Sequence, residues 1–211
     1  MKFQTHQEEF WAGSFGDDYI DRNQHPQMLA AKTALFSKIL SRTANVQSVI
    51  EFGSNIGLNL IAIKQLLPTV ELSAIEINEM AVTILKKRYG WVKVYHESIL
   101  EFNCDYLRDF VLTAGVLIHM NPEFLPQVYD KLYAVSRKYI CVAEYYNPFP
   151  VEITYRGHNA RLFKRDFAGD LLDRFSDLKL IDYGFVYHRD SLFPLDDISW
   201  FLLEKNMQNK E

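Results

Sequence analysis

The sequence lacks any apolar run of the roughly 18–20 residues that a membrane-spanning helix needs, and no apolar segment follows Lys2 as in a signal peptide. It has only two cysteines, Cys104 and Cys141, and they show no metal-ligand spacing. Internal repeats, low-complexity segments and glycine- or serine-rich linkers are also missing. These absences predict a reduced, cytoplasmic, single-domain protein without a metal site.

Positive charge is also scarce, because 23 Lys and Arg residues face 27 Asp and Glu residues, a formal net charge of −4. A protein that binds duplex nucleic acid needs many Lys and Arg contacts to phosphates, so a nucleic-acid-binding function is disfavoured. The expected partner is a small molecule, not a nucleic acid or a membrane, and the expected assembly is a monomer or a homodimer.

Short apolar strands alternate with helical segments, which is typical of a parallel sheet with helical crossovers. The predicted parallel strands are 48–52, 71–75, 92–95, 110–113 and 139–143. Residues 179–187 and 198–204 have no helix between them and are expected to pair antiparallel. The predicted organisation is one doubly wound α/β domain, divided into an N-terminal helical lid (1–45), a cofactor-binding half (46–144) and an acceptor loop with the closing strands (145–211).

The strongest local motif is VIEFGSNIG at 49–57, where a strand runs into a glycine turn and then a helix. Such a turn lies at the carboxyl edge of the sheet, where doubly wound folds bind ligands. Gly53 lets the backbone approach a ligand, and Gly57 lets helix and strand pack closely. The spacing E-x-G-x-x-x-G differs from the G-x-G-x-x-G of nicotinamide enzymes, and Glu51 would repel a phosphate but attract an ammonium or sulfonium group. The alternative is an ordinary tight turn.

Two further strand ends carry candidate ligand contacts. Glu76 ends the second strand, at an offset from which an acid accepts both hydroxyls of a ribose. Ile77 follows and is expected either to pack on an adenine face or simply to be buried. Ser98 and Ile99 follow the third strand, where a polar side chain meets the edge of a base.

The segments VIEFGSNIG, AIEIN, HESI and DFVLTAGVLIH, in this order, resemble a class I methyltransferase that uses S-adenosylmethionine. The flanking segments FWAGSFGDDYIDRN, EYYNPFPVEITYRGHNARLFKRDFAGDLLDRF and DYGFVYHRDSLFPLDDISWFLLEK resemble the pseudaminic acid biosynthesis-associated methylase family over essentially the whole chain. The resemblance implies a Rossmann-like sheet of five parallel strands with a C-terminal antiparallel β-pair. It also implies S-adenosylmethionine as cofactor and a small-molecule acceptor linked to bacterial surface sugars.

The resemblance also implies roles for individual residues. The methionine part of the cofactor would be surrounded by Glu51, Gly53, Ser54, Asn55 and Gly57. Glu76 would hold the ribose, and Ser98 with Ile99 the adenine, although many members of the superfamily have an acid where Ser98 stands. The segment from Thr113 to Gly115 would pass beneath the sulfonium.

His119 lies just beyond the active edge of the sheet and is the candidate general base for an acceptor hydroxyl. The alternative is a histidine that caps or packs against the helix predicted to begin at Asn121. A general base at His119 would slightly favour O-methylation over N-methylation.

Two segments are expected to bind the acceptor. The first 23 residues are irregular in composition, but Trp11, Phe15 and Tyr19 fall at helical spacing and predict a lid, or alternatively a helix packed on the sheet edge. The predicted acceptor contacts are Trp11, Tyr19, Arg22, Asn23, Tyr145, Arg156, His158 and Arg161. The last three lie in a long connection, 145–164, and their charge indicates an anionic acceptor unless the loop is merely solvated.

The sequence therefore predicts an S-adenosylmethionine-dependent methyltransferase that acts on a small, polar, anionic sugar or sugar acid. Two alternatives remain open: an S-adenosylmethionine-binding partner without turnover, and an N- or carboxyl-methyltransferase of another small metabolite. A nicotinamide-dependent oxidoreductase conflicts with the glycine spacing and with Glu51.

Overall fold

The computed structural model describes residues 2–22 and 25–206. Nine strands form a seven-stranded sheet and a separate two-stranded hairpin. In chain order the strands are β1 (Ser48–Phe52), β2 (Glu71–Glu76), β3 (Lys93–His96), β4 (Arg108–Ala114), β5 (Ser136–Glu144), β6 (Val151–Tyr155), β7 (His158–Lys164), β8 (Leu178–Val186) and β9 (Ile198–Lys205).

The helices are α1 (His6–Ala12), α2 (Ser14–Arg22), α3 (Pro26–Leu40), α4 (Leu58–Leu66), α5 (Glu79–Arg88), α6 (Leu125–Val135) and α7 (Phe167–Arg174). Local sequence explains several of their beginnings. Thr5 and Glu8 form a capping box at α1, and the Asn78 side chain accepts the backbone N–H of Ala81 at the start of α5.

The large sheet has the order β3-β2-β1-β4-β5-β9-β8. Strands β1 to β5 run parallel, while β9 pairs antiparallel with both β5 and β8. The predicted five parallel strands and the closing antiparallel pair are therefore confirmed. The direction of winding reverses between β1 and β4, and such a switch point opens a crevice at the carboxyl ends of the strands.

The core lies on both faces of this sheet, and β1 is buried along its whole length. One face packs Phe36 of α3 and Leu60 of α4 against the sheet, and the other face packs Leu132 of α6. Ile20 of α2 is buried in a third, smaller cluster with Ile56 and Ala81. Helix α2 is thus anchored to the body of the protein beside the crevice.

The structure corrects the predicted loop at 145–164, which instead contains the β6–β7 hairpin. Its turn consists of Arg156 and Gly157, both with positive φ. The polar and charged residues of this segment are typical of a solvated connection, although Val151, Ile153 and Tyr155 alternate with polar residues as in a strand. The helix expected from Asn121 begins as a 3₁₀ turn, Pro122–Phe124, which continues into α6.

Among the described ranges, no helix is both long and apolar enough to cross a membrane.

Candidate functional site

A cleft lies at the carboxyl ends of β1, β2 and β4 and is covered by α1 and α2. These two helices alone form the lid, because α3, also within the predicted lid (1–45), packs in the core. The volume of the cleft is about 1090 Å³ including the open mouth. The predicted site residues that line it are Trp11, Tyr19, Glu51, Gly53, Ser54, Asn55, Glu76, Ile77, Ser98, Ile99, Gly115 and His119. The predicted residues that do not line it are Arg22, Gly57, Thr113, Tyr145, Arg156, His158 and Arg161. Asn23 lies outside the described residues.

A buried polar chain closes one end of the cleft. Glu51, at 0% exposure, accepts a hydrogen bond of 2.5 Å from the Asn59 side-chain amide, and the Lys32 ammonium donates to Asn59 Oδ1 at 2.7 Å. Glu51 Oε2 has no hydrogen-bond partner among the described residues. Burial raises the pKa of Glu51 and lowers the pKa of Lys32. Burial thus disfavours the charged forms of both groups, and a ligand that carries an ammonium and a carboxylate would stabilise those forms.

Glu76 holds together the two loops at the middle of the cleft. Its carboxylate accepts the backbone N–H of Asn55 at 2.6 Å and the backbone N–H of Asn78 at 2.8 Å. Burial raises the pKa of Glu76, and these two N–H bonds oppose the shift. The same acid thus fixes the glycine turn and retains lone pairs for hydroxyl donors.

Gly53, Gly57 and Gly115 have different roles, and all three have positive φ. A Cβ on Gly53 would lie 2.6 Å from Val116, and one on Gly57 would lie 2.5 Å from Leu85 of α5. Gly57 therefore lets α5, not a strand, approach the turn, which corrects the role predicted for it. A Cβ on Gly115 would meet no protein atom within 4 Å, because this position faces open space in the cleft.

Beyond Glu76, the cleft ends at Ser98 and at an acid from the lid. The Ser98 hydroxyl donates to Glu8 Oε1 and accepts the backbone N–H of Leu100 at 3.0 Å. Glu8 is 6% exposed and lines the cleft together with Ser98. A carboxylate from the lid thus lies directly beside Ser98.

His119 lines the cleft beside Trp11, and its Nδ1 is 2.5 Å from the backbone carbonyl oxygen of Arg161. A carbonyl oxygen only accepts, so Nδ1 carries the proton and Nε2 keeps its lone pair. Burial lowers the pKa of His119 to about 4, although the Arg161 carbonyl acts in the opposite direction. The imidazole is therefore neutral at pH 7 and is flanked by the rings of Trp11 (4.6 Å between centroids) and Tyr155 (5.0 Å).

Glu144, at the end of β5, orders the chain between Gly115 and His119. It accepts the backbone N–H groups of Val116 at 3.0 Å and Leu117 at 3.1 Å, and also the Thr113 hydroxyl. Burial raises the pKa of Glu144 to about 7 against these bonds. Thr113 does not line the cleft, but its hydroxyl binds Glu144, which in turn holds the backbone of Val116 and Leu117.

Asn78 fastens the lid over the cleft. Its side-chain amide donates to Asp17 Oδ1 at 2.8 Å and to the Trp11 carbonyl oxygen at 3.3 Å. Gly16 lies at the same contact, where a Cβ would be 2.0 Å from that carbonyl oxygen. Asn78 therefore links the loop after β2 to both lid helices.

The predicted basic cluster lies outside the cleft. Arg156 is exposed at the hairpin turn, and the His158 ring packs near Phe10 at 5.1 Å between centroids. The Arg161 guanidinium stacks 4.9 Å from the Phe10 ring centroid. Carbonyl groups of a strand point sideways and side chains stand perpendicular to them, so Arg161 of β7 presents its carbonyl to His119 while its side chain lies against Phe10 of the lid.

Sequence reasoning missed several residues that line the cleft, namely Gln7, Glu8, Lys32, Asn59, Asn78 and Met120. A signal existed for two of them. Lys32 stands three and four residues before Leu35 and Phe36, on the buried face of α3, where an unpaired cation is costly. Asn59 similarly interrupts the apolar run of α4.

No protein-family model and no curated protein matches the chain. Solved structures do match its fold. A 1,6-didemethyltoxoflavin-N1-methyltransferase from Burkholderia thailandensis, with 1,6-didemethyltoxoflavin and S-adenosylhomocysteine bound, has a TM-score of 0.69 at 16% identity and covers 94% of this chain and 86% of its own. The plantazolicin methyltransferase BpumL has a TM-score of 0.65 at 15% identity and covers 95% of this chain and 94% of its own. The N-methyltransferase NodS from Bradyrhizobium japonicum has a TM-score of 0.64 at 16% identity and covers 87% of this chain and 98% of its own. The chain therefore has the Rossmann-like class I methyltransferase fold.

Proposed function

We propose that the protein is an S-adenosylmethionine-dependent methyltransferase that acts on a small-molecule acceptor. The observation that carries the proposal is the buried carboxylate of Glu51, whose Oε2 is unpaired at the wall of an open cleft. A buried carboxylate oxygen without a partner is costly, and an ammonium ligand would remove that cost. Several solved proteins with this fold hold S-adenosylmethionine or S-adenosylhomocysteine.

The residues along the cleft fit the parts of this cofactor in order. Glu51 would accept the α-ammonium group, and Lys32 would bind the α-carboxylate. Glu76 would accept the ribose hydroxyls, while Ile77 and Ile99 provide apolar surface for adenine. When bound, the cofactor supplies an electrophilic methyl group on a sulfonium.

His119 is the proposed general base. Its neutral imidazole has a lone pair on Nε2, and the Arg161 carbonyl fixes the tautomer. The acceptor would lie between His119, Trp11 and Tyr19, and would lose its proton to Nε2 as the methyl group transfers. Gly115 leaves open the space through which the acceptor atom approaches.

For the acceptor, the resemblance to the pseudaminic acid-associated methylases supports a polar sugar-type metabolite of bacterial surface-glycan synthesis. The anionic character expected from Arg156, His158 and Arg161 is not retained, because none of the three lines the cleft. Three matched structures are N-methyltransferases by name, the 1,6-didemethyltoxoflavin-N1-methyltransferase, NodS and the glycopeptide enzyme MtfA, so amino sugars belong in the acceptor panel beside hydroxyl sugars.

The test incubates the protein with methyl-labelled S-adenosylmethionine and a bacterial metabolite extract, followed by separate panels of hydroxyl sugars and amino sugars. We expect label in the small-molecule fraction and stoichiometric S-adenosylhomocysteine. The His119→Gln variant should bind cofactor but transfer little label. Label in macromolecules alone would contradict the acceptor class, and cofactor binding without transfer to any fraction would support a non-catalytic partner.

A further inference from the structure

We infer that Glu8, on lid helix α1, recognises the 6-amino group of the cofactor's adenine. This rests on the proposed function. The lid would then form part of the cofactor site in addition to covering the acceptor.

The order of the strands in the sheet indicates where the adenine of the cofactor would lie. Successive strands β1, β2 and β3 lead to Glu51, Glu76 and Ser98, so a ligand whose charged end lies at Glu51 and whose ribose lies at Glu76 reaches Ser98 with its base. Ile77 and Ile99 line the cleft there and give the base two apolar contacts. Glu8 meets this end of the cleft through its bond to Ser98.

The hydrogen bonds around Glu8 and Ser98 leave free acceptor lone pairs but no free donor group for a ligand. Glu8 Oε2 already receives the backbone N–H groups of Gln4 at 2.6 Å and Thr5 at 2.8 Å. Among the described residues, Oε1 receives only the Ser98 hydroxyl, which leaves it one lone pair. Because the Ser98 proton is directed to Glu8, both side chains present lone pairs to the cleft. An exocyclic amino group satisfies them, whereas a carbonyl oxygen at the same place would be repelled.

A second carboxylate, Glu97, also lines this end of the cleft. It is partly exposed, whereas Glu8 is 6% exposed and is fixed by a capping box and by Ser98. A fixed, desolvated carboxylate discriminates between donors and acceptors more strongly than a hydrated one. The geometry therefore favours Glu8.

The assignment connects the two ends of the active site. Glu8 and Trp11 are three residues apart on α1 and face the cleft together, and Trp11 is the ring beside His119. Adenine contact with Glu8 would hold α1 in place and thereby fix the aromatic wall of the acceptor site.

The test compares S-adenosylhomocysteine with S-inosylhomocysteine, which has an oxygen in place of the 6-amino group, by titration calorimetry. The wild-type protein should prefer the adenine form by about ten- to a hundredfold, the range for a hydrogen bond to a charged group. Glu8→Gln should remove most of this preference, because a carboxamide both donates and accepts. The matched control is Glu9→Gln, because Glu9 is an exposed acid on the same helix. This variant should keep the preference for S-adenosylhomocysteine.

Each outcome separates the inference from the proposed function. If the wild-type protein binds neither compound, the proposed function fails. If it binds S-adenosylhomocysteine but Glu8→Gln weakens both compounds equally, or leaves the preference intact, Glu8 has only a structural role and the inference is overturned. Loss of preference in Glu97→Gln instead of Glu8→Gln would also overturn it.

Discussion

At the scale of single residues, the state of Glu51 decides how the cleft binds a charged ligand. Its pKa is raised by burial in the unliganded protein, and an adjacent ammonium group would lower it. We therefore predict that S-adenosylhomocysteine binding releases protons near neutral pH, and that affinity falls as pH is lowered through the raised pKa. Calorimetry in two buffers with different ionisation enthalpies measures this release.

The matched variants are Glu51→Gln and Glu71→Gln, the latter at the exposed start of β2. Glu51→Gln should abolish the proton release and weaken binding by about 2–5 kcal/mol, because a charged partner is lost. Glu71→Gln should behave as the wild type. Unchanged proton release in Glu51→Gln would assign the titration to another group.

His119 should matter for the reaction and not for cofactor affinity. We predict that His119→Gln lowers kcat by about 10²–10⁴ while the Kd of S-adenosylhomocysteine stays nearly constant. Since burial lowers the pKa of His119 to about 4, the base stays unprotonated until the pH is well below 6.5, its usual value. The acid limb of kcat attributable to this group should therefore lie near pH 4.

Steady-state rates at saturating cofactor, measured across pH for the wild type and His119→Gln, give kcat. Calorimetry of the variant gives the Kd of S-adenosylhomocysteine. A variant with full kcat would show that alignment alone supplies the acceleration and that His119 only supports Trp11 and Tyr155.

At the scale of elements, the lid is the part that must stay docked for both ligands. Gly16 leaves no space for a side chain at the contact between Trp11 and Asn78. We predict that Gly16→Ala loosens α1 and α2, costs about 1–3 kcal/mol of docking free energy and weakens cofactor binding, because the extra methyl overpacks the contact. Hydrogen exchange of residues 5–22 measures the opening.

Gly90→Ala is the matched control, because a Cβ added at Gly90 would lie an ordinary 3.7 Å from the Lys86 carbonyl oxygen. It should leave exchange in the lid unchanged. Equal protection of the lid in Gly16→Ala and in the wild type would show that the contact with Asn78 does not hold the lid.

Elements with strong local signals could be predicted from the sequence, and those that depend on distant contacts could not. The strand before Gly53 and the Asn78 cap are local features, because period and capping chemistry lie within a few residues. The β6–β7 hairpin was missed although Val151, Ile153 and Tyr155 alternate with polar residues. The reason is that the surrounding polar and charged residues are typical of a solvated loop, and Leu162 alone is buried in the two strands. Its consequence for the site, the bond between the Arg161 carbonyl and His119, joins residues 42 apart in the chain.

At the scale of the whole molecule, the proposed cofactor half and the proposed acceptor half differ in how they are built. The cofactor half follows from parallel strands whose ends must meet at one edge, so Glu51, Glu76 and Ser98 could be predicted to lie there. The acceptor half depends on how the lid and the hairpin fold back over that edge. Glu8 reaches Ser98 across 90 residues of chain, a contact that no local pattern encodes.

The central claim is that this cleft binds S-adenosylmethionine and its product, and calorimetric titration with S-adenosylhomocysteine tests it most directly. We predict saturable binding at one site per chain, weakened by about 1.5–3 kcal/mol in Glu76→Ala, which removes the acceptor of the ribose hydroxyls. NADH in the same instrument should give no saturable signal, because the turn after β1 lacks the spacing for a pyrophosphate. Saturable NADH binding, or no binding of S-adenosylhomocysteine by the folded protein, would contradict the account.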